Sequence, residues 1–201
     1  MKFIVNFVLM IIASYTSYKV IRFLNDKGED ININNKSILK LSIIYYVYTH
    51  ILINLYGFSW LFIFYYLTSI YLVVTAYIDF RTKHVYCLLN IVMGIISIIY
   101  LIYLIINGID ISKPLIGIVL TLLISILFSK LDIWAWGDSE ILIAISPIIS
   151  LNINPIFNIM LAIALSGIIS IVQLFKTKFK LDSRQAFAPY IMLSSLITLV
   201  I

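Results

Sequence analysis

Apolar runs long enough to cross a lipid bilayer fill most of this chain and restrict what it can fold into. About 20 apolar residues form a helix that spans the roughly 30 Å hydrocarbon layer. Lipid provides no hydrogen-bond partners for backbone N–H and C=O groups. Such runs therefore fold as packed helices, in which these groups bond to one another. The expected spans are residues 3–22, 38–56, 58–78, 85–106, 114–130, 139–151, 155–175 and 186–201. The sequence therefore predicts an all-α polytopic transmembrane helix bundle of about eight spans (six to eight), forming a single domain over residues 1–201.

The composition excludes a soluble protein and gives no sign of a cofactor. Of the 201 residues, 63% are hydrophobic and only 11% are charged, whereas a soluble domain is about a quarter charged. The net charge of +5 is scattered between apolar runs, so we expect the lipid bilayer and no nucleic acid as a partner. A lone cysteine, Cys87, and two distant histidines, His50 and His84, predict no disulfide, no metal site and no cofactor.

The lysine and arginine residues orient the predicted bundle. If the N-terminus lies outside, the inner segments hold Lys19, Arg22, Lys27, Lys36, Lys40, Arg81, Lys83, Lys130, Lys176, Lys178, Lys180 and Arg184. The outer segments hold only Lys2 and Lys113. Because cytoplasmic loops carry the excess of cations, the pattern predicts a multi-pass plasma-membrane protein with its N-terminus outside.

Two aspartates at the ends of apolar runs are the candidate reactive groups. Asp79 closes the third predicted span and Asp138 opens the sixth, which places both at the cytoplasmic face. Acidic residues beside a membrane span are costly and usually functional. Two carboxyl groups within a few ångströms share a proton, so one acts as a base while the other acts as an acid. The alternative left open by spacing alone is that each aspartate caps a helix or pairs with a cation such as Arg81.

Three short motifs carry a family resemblance. They are Asp79-Phe80-Arg81-Thr82-Lys83-His84-Val85, Ala135-Trp136-Gly137-Asp138-Ser139-Glu140-Ile141 and Ala186-Phe187-Ala188-Pro189-Tyr190. In their order and spacing they resemble the type IV prepilin peptidases, membrane aspartyl proteases of the Gly-x-Gly-Asp class. The resemblance implies that Asp79 and Asp138 are catalytic and that Ala135, Gly137 and Glu140 support the site, with the active site facing the cytoplasm.

The second motif departs from the family pattern at two positions. Ala135 stands in place of the first glycine, which reduces backbone freedom beside the site. Glu140 stands in place of a lysine, and a nearby anion disfavours full ionisation of the aspartate pair. Gly137 is expected to let the backbone approach a substrate strand. The segment between the first two spans has no cysteine pair, so we expect a short form of the peptidase without the family's methyltransferase segment.

The resemblance implies a prepilin or pseudopilin substrate, with a short basic leader ahead of a long apolar helix. Acidic side chains are candidates for attracting that leader: Asp26, Glu29, Asp30, Asp132 and Glu140. Asp132 is also a weaker rival to Asp138 as the second catalytic aspartate, because no glycine adjoins it. Trp134 and Trp136 are expected mainly as interfacial aromatics, with the wall of a substrate groove as the alternative position. The alternative function is a non-enzymatic membrane protein, either a small transporter or a pilus or secretion assembly subunit.

Overall fold

The computed structural model describes residues 2–26, 31, 33–131, 134–152, 154–176 and 186–201, without the side chains of residues 173, 174 and 176. Within these ranges the chain forms eight α-helices and no strand. They are α1 (Lys2–Asp26), α2 (Asn35–Tyr56), α3 (Trp60–Thr82), α4 (Cys87–Ile106), α5 (Ser112–Lys130), α6 (Trp136–Ile149), α7 (Pro155–Lys176) and α8 (Ala188–Val200). The predicted all-α helix bundle is confirmed.

Six of the helices, α1 to α5 and α7, are long and apolar enough to cross a membrane. The other two, α6 and α8, are shorter, but α6 still runs along most of the length of α3. Its first turn lies near the end of α3, whereas the carbonyl of Ile148 accepts a hydrogen bond of 3.0 Å from the Tyr65 hydroxyl, near the start of α3. The chain is therefore a multi-pass helical membrane protein.

Helix α3 is the centre of the bundle. It contacts α1, α2, α4, α6 and α8, and most of its residues are buried. A helix that is apolar on every side, as α3 is, is typical of such a central position. The Tyr66 hydroxyl donates to the carbonyl of Leu9 in α1 at 2.7 Å, and the Tyr71 hydroxyl donates to Asn90 in α4 at 2.6 Å.

The bundle has two different ends. At the first, called the turn end, short connections join α2 to α3, α4 to α5 and α6 to α7. Gly57 and Gly108 make two of these turns with φ of 59° and 64°, values that glycine adopts without strain. At the opposite end, called the cavity end, α3 finishes and both α6 and α8 begin.

Both candidate aspartates lie inside helices rather than beside them. Helix α3 continues to Thr82, beyond the predicted end at residue 78, and α6 begins at Trp136 rather than at residue 139. An apolar run predicts where lipid contact ends, but backbone hydrogen bonds continue to favour helix in the more polar segment that follows. Asp79 thus occupies the last turn of α3, and Asp138 occupies the first turn of α6.

Candidate active site

A cavity of about 680 Å³ opens at the cavity end, and both aspartates line it. Only 4% of Asp79 and 7% of Asp138 is exposed, so each carboxyl group is largely withdrawn from bulk solvent. The described residues that line the cavity are Asp79, Lys83, His84, Val85, Trp134, Ala135, Gly137, Asp138, Ile163, Ser166, Ser170, Ala186 and Phe187. The two acids therefore come from separate helices and face one enclosed space.

Asp79 is held by its side chain and by its main chain. Its Oδ2 accepts a hydrogen bond of 2.9 Å from the backbone N–H of Ala188, at the start of α8. Its carbonyl accepts a bond of 2.8 Å from the N–H of Lys83, which ends α3 in the left-handed conformation with φ of 59° and ψ of 25°. A residue with a side chain takes this conformation at a cost of about 1 kcal/mol. Strained backbone of this kind clusters at functional sites.

Asp138 is positioned by the start of α6. Its N–H donates to the carbonyl of Ala135 at 3.0 Å, and the positive end of the helix dipole favours a carboxylate in this first turn. Ala135 precedes the helix with φ of −74° and ψ of 151°, a conformation open to any residue. Alanine at this position is therefore compatible with the backbone that leads into Asp138.

Gly137 makes a close contact between α6 and the segment after α3. A Cβ atom at this position would lie 3.0 Å from Cβ and 3.3 Å from Cγ2 of Val85. The space that a side chain would need is thus occupied by this protein's own Val85. The glycine thus brings the first turn of α6 against the chain that follows Asp79, and it also lines the cavity; that it lets the backbone approach a substrate strand stays a prediction.

Glu140 is the one proposed site residue that is absent from the cavity lining. Its Oε2 accepts a hydrogen bond of 2.7 Å from Nδ2 of Asn90 in α4. Oδ1 of Asn90 in turn accepts a bond of 2.6 Å from the Tyr71 hydroxyl. This chain of bonds links α6, α4 and α3, and it directs Glu140 toward α4 while Asp138 faces the cavity.

Trp134 takes the alternative of its two expected positions, in the wall of the cavity rather than at the membrane interface. It is only 8% exposed, and its Nε1–H donates to Ser139 Oγ at 2.8 Å. Its ring packs 4.9 Å from that of Phe128 and 5.4 Å from that of Phe187, measured between centroids. Trp134 therefore walls the cavity, whereas Trp136 is 53% exposed, consistent with an interfacial position.

Sequence reasoning missed the contribution of α7 to the cavity. Ile163, Ser166 and Ser170 of α7 line it. The Ser166 and Ser170 hydroxyls each donate to a carbonyl of their own helix at 2.8 Å, so both side chains are held against the wall by α7 itself. The signal for this stripe was two serines spaced four apart in an apolar run, a spacing that places them on one face of a helix.

Three of the acidic residues that the sequence suggested for attracting a basic leader lie outside the described residues: Glu29, Asp30 and Asp132. Lys83 and His84 line the same cavity as the two aspartates. In the described part of the chain, no three or more His, Cys, Asp or Glu side chains are placed to hold a metal ion.

Fold and site together define a multi-pass membrane protein with a two-carboxylate cavity at one end of its bundle. Sequence comparison gives its family: the model of the type IV leader peptidase family matches residues 66–175, which is more than half of the chain. The chain belongs to the type IV leader peptidase family, and it is accordingly a leader-peptidase-like protease. The matched stretch includes both Asp79 and Asp138. No curated protein and no solved structure matches the chain significantly.

Proposed function

We propose that the protein is an aspartic endopeptidase that removes the short basic leader of prepilin-like or pseudopilin-like substrates at the cytoplasmic face of the plasma membrane. The observation that carries the proposal is that Asp79 and Asp138, on separate helices, line one cavity of about 680 Å³. Family membership supplies the peptidase activity, and the two acids supply a chemical means for it.

The proposed chemistry is general acid–base catalysis with water as the nucleophile. Two neighbouring carboxyl groups hold one proton between them. The ionised group removes a proton from water, and the oxygen of that water attacks the peptide carbonyl, which the protonated group polarises. The tetrahedral intermediate then breaks its C–N bond as a carboxyl proton passes to the leaving amine. The Ala188 N–H, at 2.9 Å from Oδ2, fixes the orientation of the Asp79 carboxyl during these steps.

The cavity suits the junction between a leader and an apolar helix. A water molecule occupies about 30 Å³, so 680 Å³ has room for an extended peptide segment as well as the attacking water. Ser166 adds a polar group to the wall, while Val85 and Phe187 offer apolar surface. The cavity lies where the helices end, which is the depth at which an apolar substrate helix leaves the lipid.

The charge distribution supports the cytoplasmic orientation. Among the described residues, the cations at the cavity end are Lys19, Arg22, Lys36, Lys40, Arg81, Lys83 and Lys130. Those at the turn end are Lys2 and Lys113. By the positive-inside rule this distribution favours a cytoplasmic position for the cavity end, where the basic leader of a membrane-inserted precursor would lie.

Separate Asp79→Asn and Asp138→Asn substitutions test the proposal, with Asp110→Asn as the matched control. Asp110 lies at the turn end, where the hydroxyl and N–H of Ser112 hydrogen-bond its carboxylate and lower its pKa. Each cavity variant should reduce cleavage of a co-expressed prepilin by about 1,000-fold or more, because an amide replaces a proton-transfer group. The control should cleave like the unchanged protein, as judged by the mobility shift of the product.

Normal cleavage by either cavity variant, at equal membrane levels, would refute the aspartic mechanism. If the unchanged protein cleaved no pilin-like precursor, the non-enzymatic alternative would gain support. The N-terminal sequence of the product would show whether the cut falls at the junction between leader and helix or at another site.

A further inference from the structure

A second depression borders α3 and α8 and shares no lining residue with the active-site cavity. It is a groove of about 230 Å³ between α2, α3 and α8. Two cations, Lys40 of α2 and Arg81 of α3, stand at its cavity end together with Tyr77. Ile44, Val73 and Met192 line its deeper part. None of these groups is used in the proposed chemistry.

Along the bundle axis, the lining of the groove changes from charged at one end to apolar at the other. Lys40 lies near the start of α2 and Arg81 near the end of α3, so both charges mark the same end. From Arg81 back to Val73, α3 rises about 12 Å toward the bilayer centre, and the lining becomes apolar over that distance. A ligand that fits a charged end followed by an apolar wall has an anionic head and an apolar tail parallel to the helices.

Both cations are available to such a head group. Lys40 and Arg81 are exposed, and no carboxylate in the described part of the chain forms an ion pair with either of them. The Arg81 guanidinium lies 5.6 Å from the centroid of the Tyr77 ring, a contact that holds the side chain at the rim without neutralising its charge. Basic pockets between transmembrane helices on the cytoplasmic side are typical sites for anionic lipid head groups.

We infer that this groove binds one anionic phospholipid, with the phosphate between Lys40 and Arg81 and the upper part of an acyl chain against Ile44, Val73 and Met192. The site borders the catalytic machinery. Arg81 follows Asp79 by two residues in the last turn of α3, and Pro189 of the groove follows Ala188, whose N–H binds Asp79. A lipid in the groove would therefore contact α3 and α8 close to the point where the two helices meet, outside the cavity.

The test is lipid titration of the purified full-length chain in neutral detergent. Phosphatidylglycerol should raise the melting temperature in a saturable way, whereas phosphatidylcholine at the same concentrations should not. The double variant K40Q/R81Q should weaken the apparent affinity for phosphatidylglycerol about 10- to 30-fold, because each cation near an anionic head group contributes substantially to binding. The control double variant K19Q/R22Q removes one lysine and one arginine from α1 and should change the affinity less than about twofold.

Three results would overturn the inference. Equal stabilisation by phosphatidylcholine would show that the charge of the head group does not matter. An equal loss of affinity in the two double variants would show that the lipid does not bind in this groove. Full competition by soluble glycerol phosphate would indicate a site for a free phosphate rather than for a lipid. The readout requires no peptide substrate, so it stands or falls separately from the proposed protease chemistry.

Discussion

The two ends of the bundle are built from similar helices, but side chains pack closely at the turn end and leave an open space at the cavity end. At the turn end, the Tyr56 and Tyr65 rings stack 4.7 Å apart, and Asn152 donates to both hydroxyls at 3.2 and 3.1 Å. A Cβ on Gly117 would lie only 2.0 Å from Ser150 Oγ. At the cavity end, about 680 Å³ is left open beside two carboxyl groups. Close packing holds the chain together at one end, and a cavity lined by two carboxyl groups is left open at the other.

This contrast predicts that equivalent substitutions will damage activity at the cavity end and stability at the turn end. The largest difference is the one between Asp79→Asn and Asp110→Asn given above. Smaller substitutions test the contrast further, because they change packing or single hydrogen bonds while leaving both acids in place.

Gly137→Ala should lower peptidase activity about 10-fold, less than the roughly 100-fold that a 1 Å misplacement can cost, because the new Cβ would lie 3.0 Å from Val85 Cβ and push the first turn of α6 slightly away from the segment that follows α3. The matched control is Gly94→Ala in α4, where a Cβ would meet nothing within 4 Å, and its activity should be unchanged. Adding Val85→Ala to the Gly137→Ala variant should restore part of the activity, measured as kcat/KM on a purified precursor. Equal activity of the two single variants would contradict the proposed role of this contact.

Asn90→Ala should lower the free energy of unfolding by about 2 kcal/mol, because it leaves both Glu140 and the Tyr71 hydroxyl without their partner. Asn90 is bonded to Glu140 at 2.7 Å and to Tyr71 at 2.6 Å. Glu140→Gln is the control, because its amide oxygen can still accept from Asn90, and it should cost much less. Thermal unfolding in detergent measures both; similar losses would mean that the charge of Glu140, rather than the bond, carries the effect.

Tyr65→Phe should have the smallest effect, a loss of about 1 kcal/mol in the free energy of unfolding. The change removes the bond of 3.0 Å to the Ile148 carbonyl, one of the last carbonyls of α6, which lack partners within the helix. It also removes the bond of 3.1 Å that Asn152 donates to the Tyr65 hydroxyl, but Asn152 keeps its bond to Tyr56. Activity per folded molecule should remain that of the unchanged protein, because the site lies at the other end of the bundle. A larger loss of kcat than of melting temperature would show that the two ends are coupled.

The sequence predicted the helices well because the length and polarity of apolar runs carry that information. It also selected Asp79 and Asp138, the acids that the structure brings to one cavity.

The sequence did not predict that Glu140 faces Asn90, because helices that are apolar on most sides give little indication of their rotation about the axis. The backbone N–H of Ala188 could not be predicted either, since any residue offers that donor and only the packing of α8 against α3 selects this one. The sequence could not decide between the two positions of Trp134, because tryptophans in a membrane boundary and in a cavity wall have the same local sequence pattern.

The bond between Ala188 and Asp79 also bears on how much of the chain the enzyme requires. The family match ends at residue 175, yet the amide that orients Asp79 comes from residue 188. A chain cut after residue 175 would retain both acids and lose the N–H group that orients the Asp79 carboxyl. Co-expressing the missing C-terminal helix as a separate peptide would then be a complementation assay, in which recovered cleavage reports directly on the docking of α8.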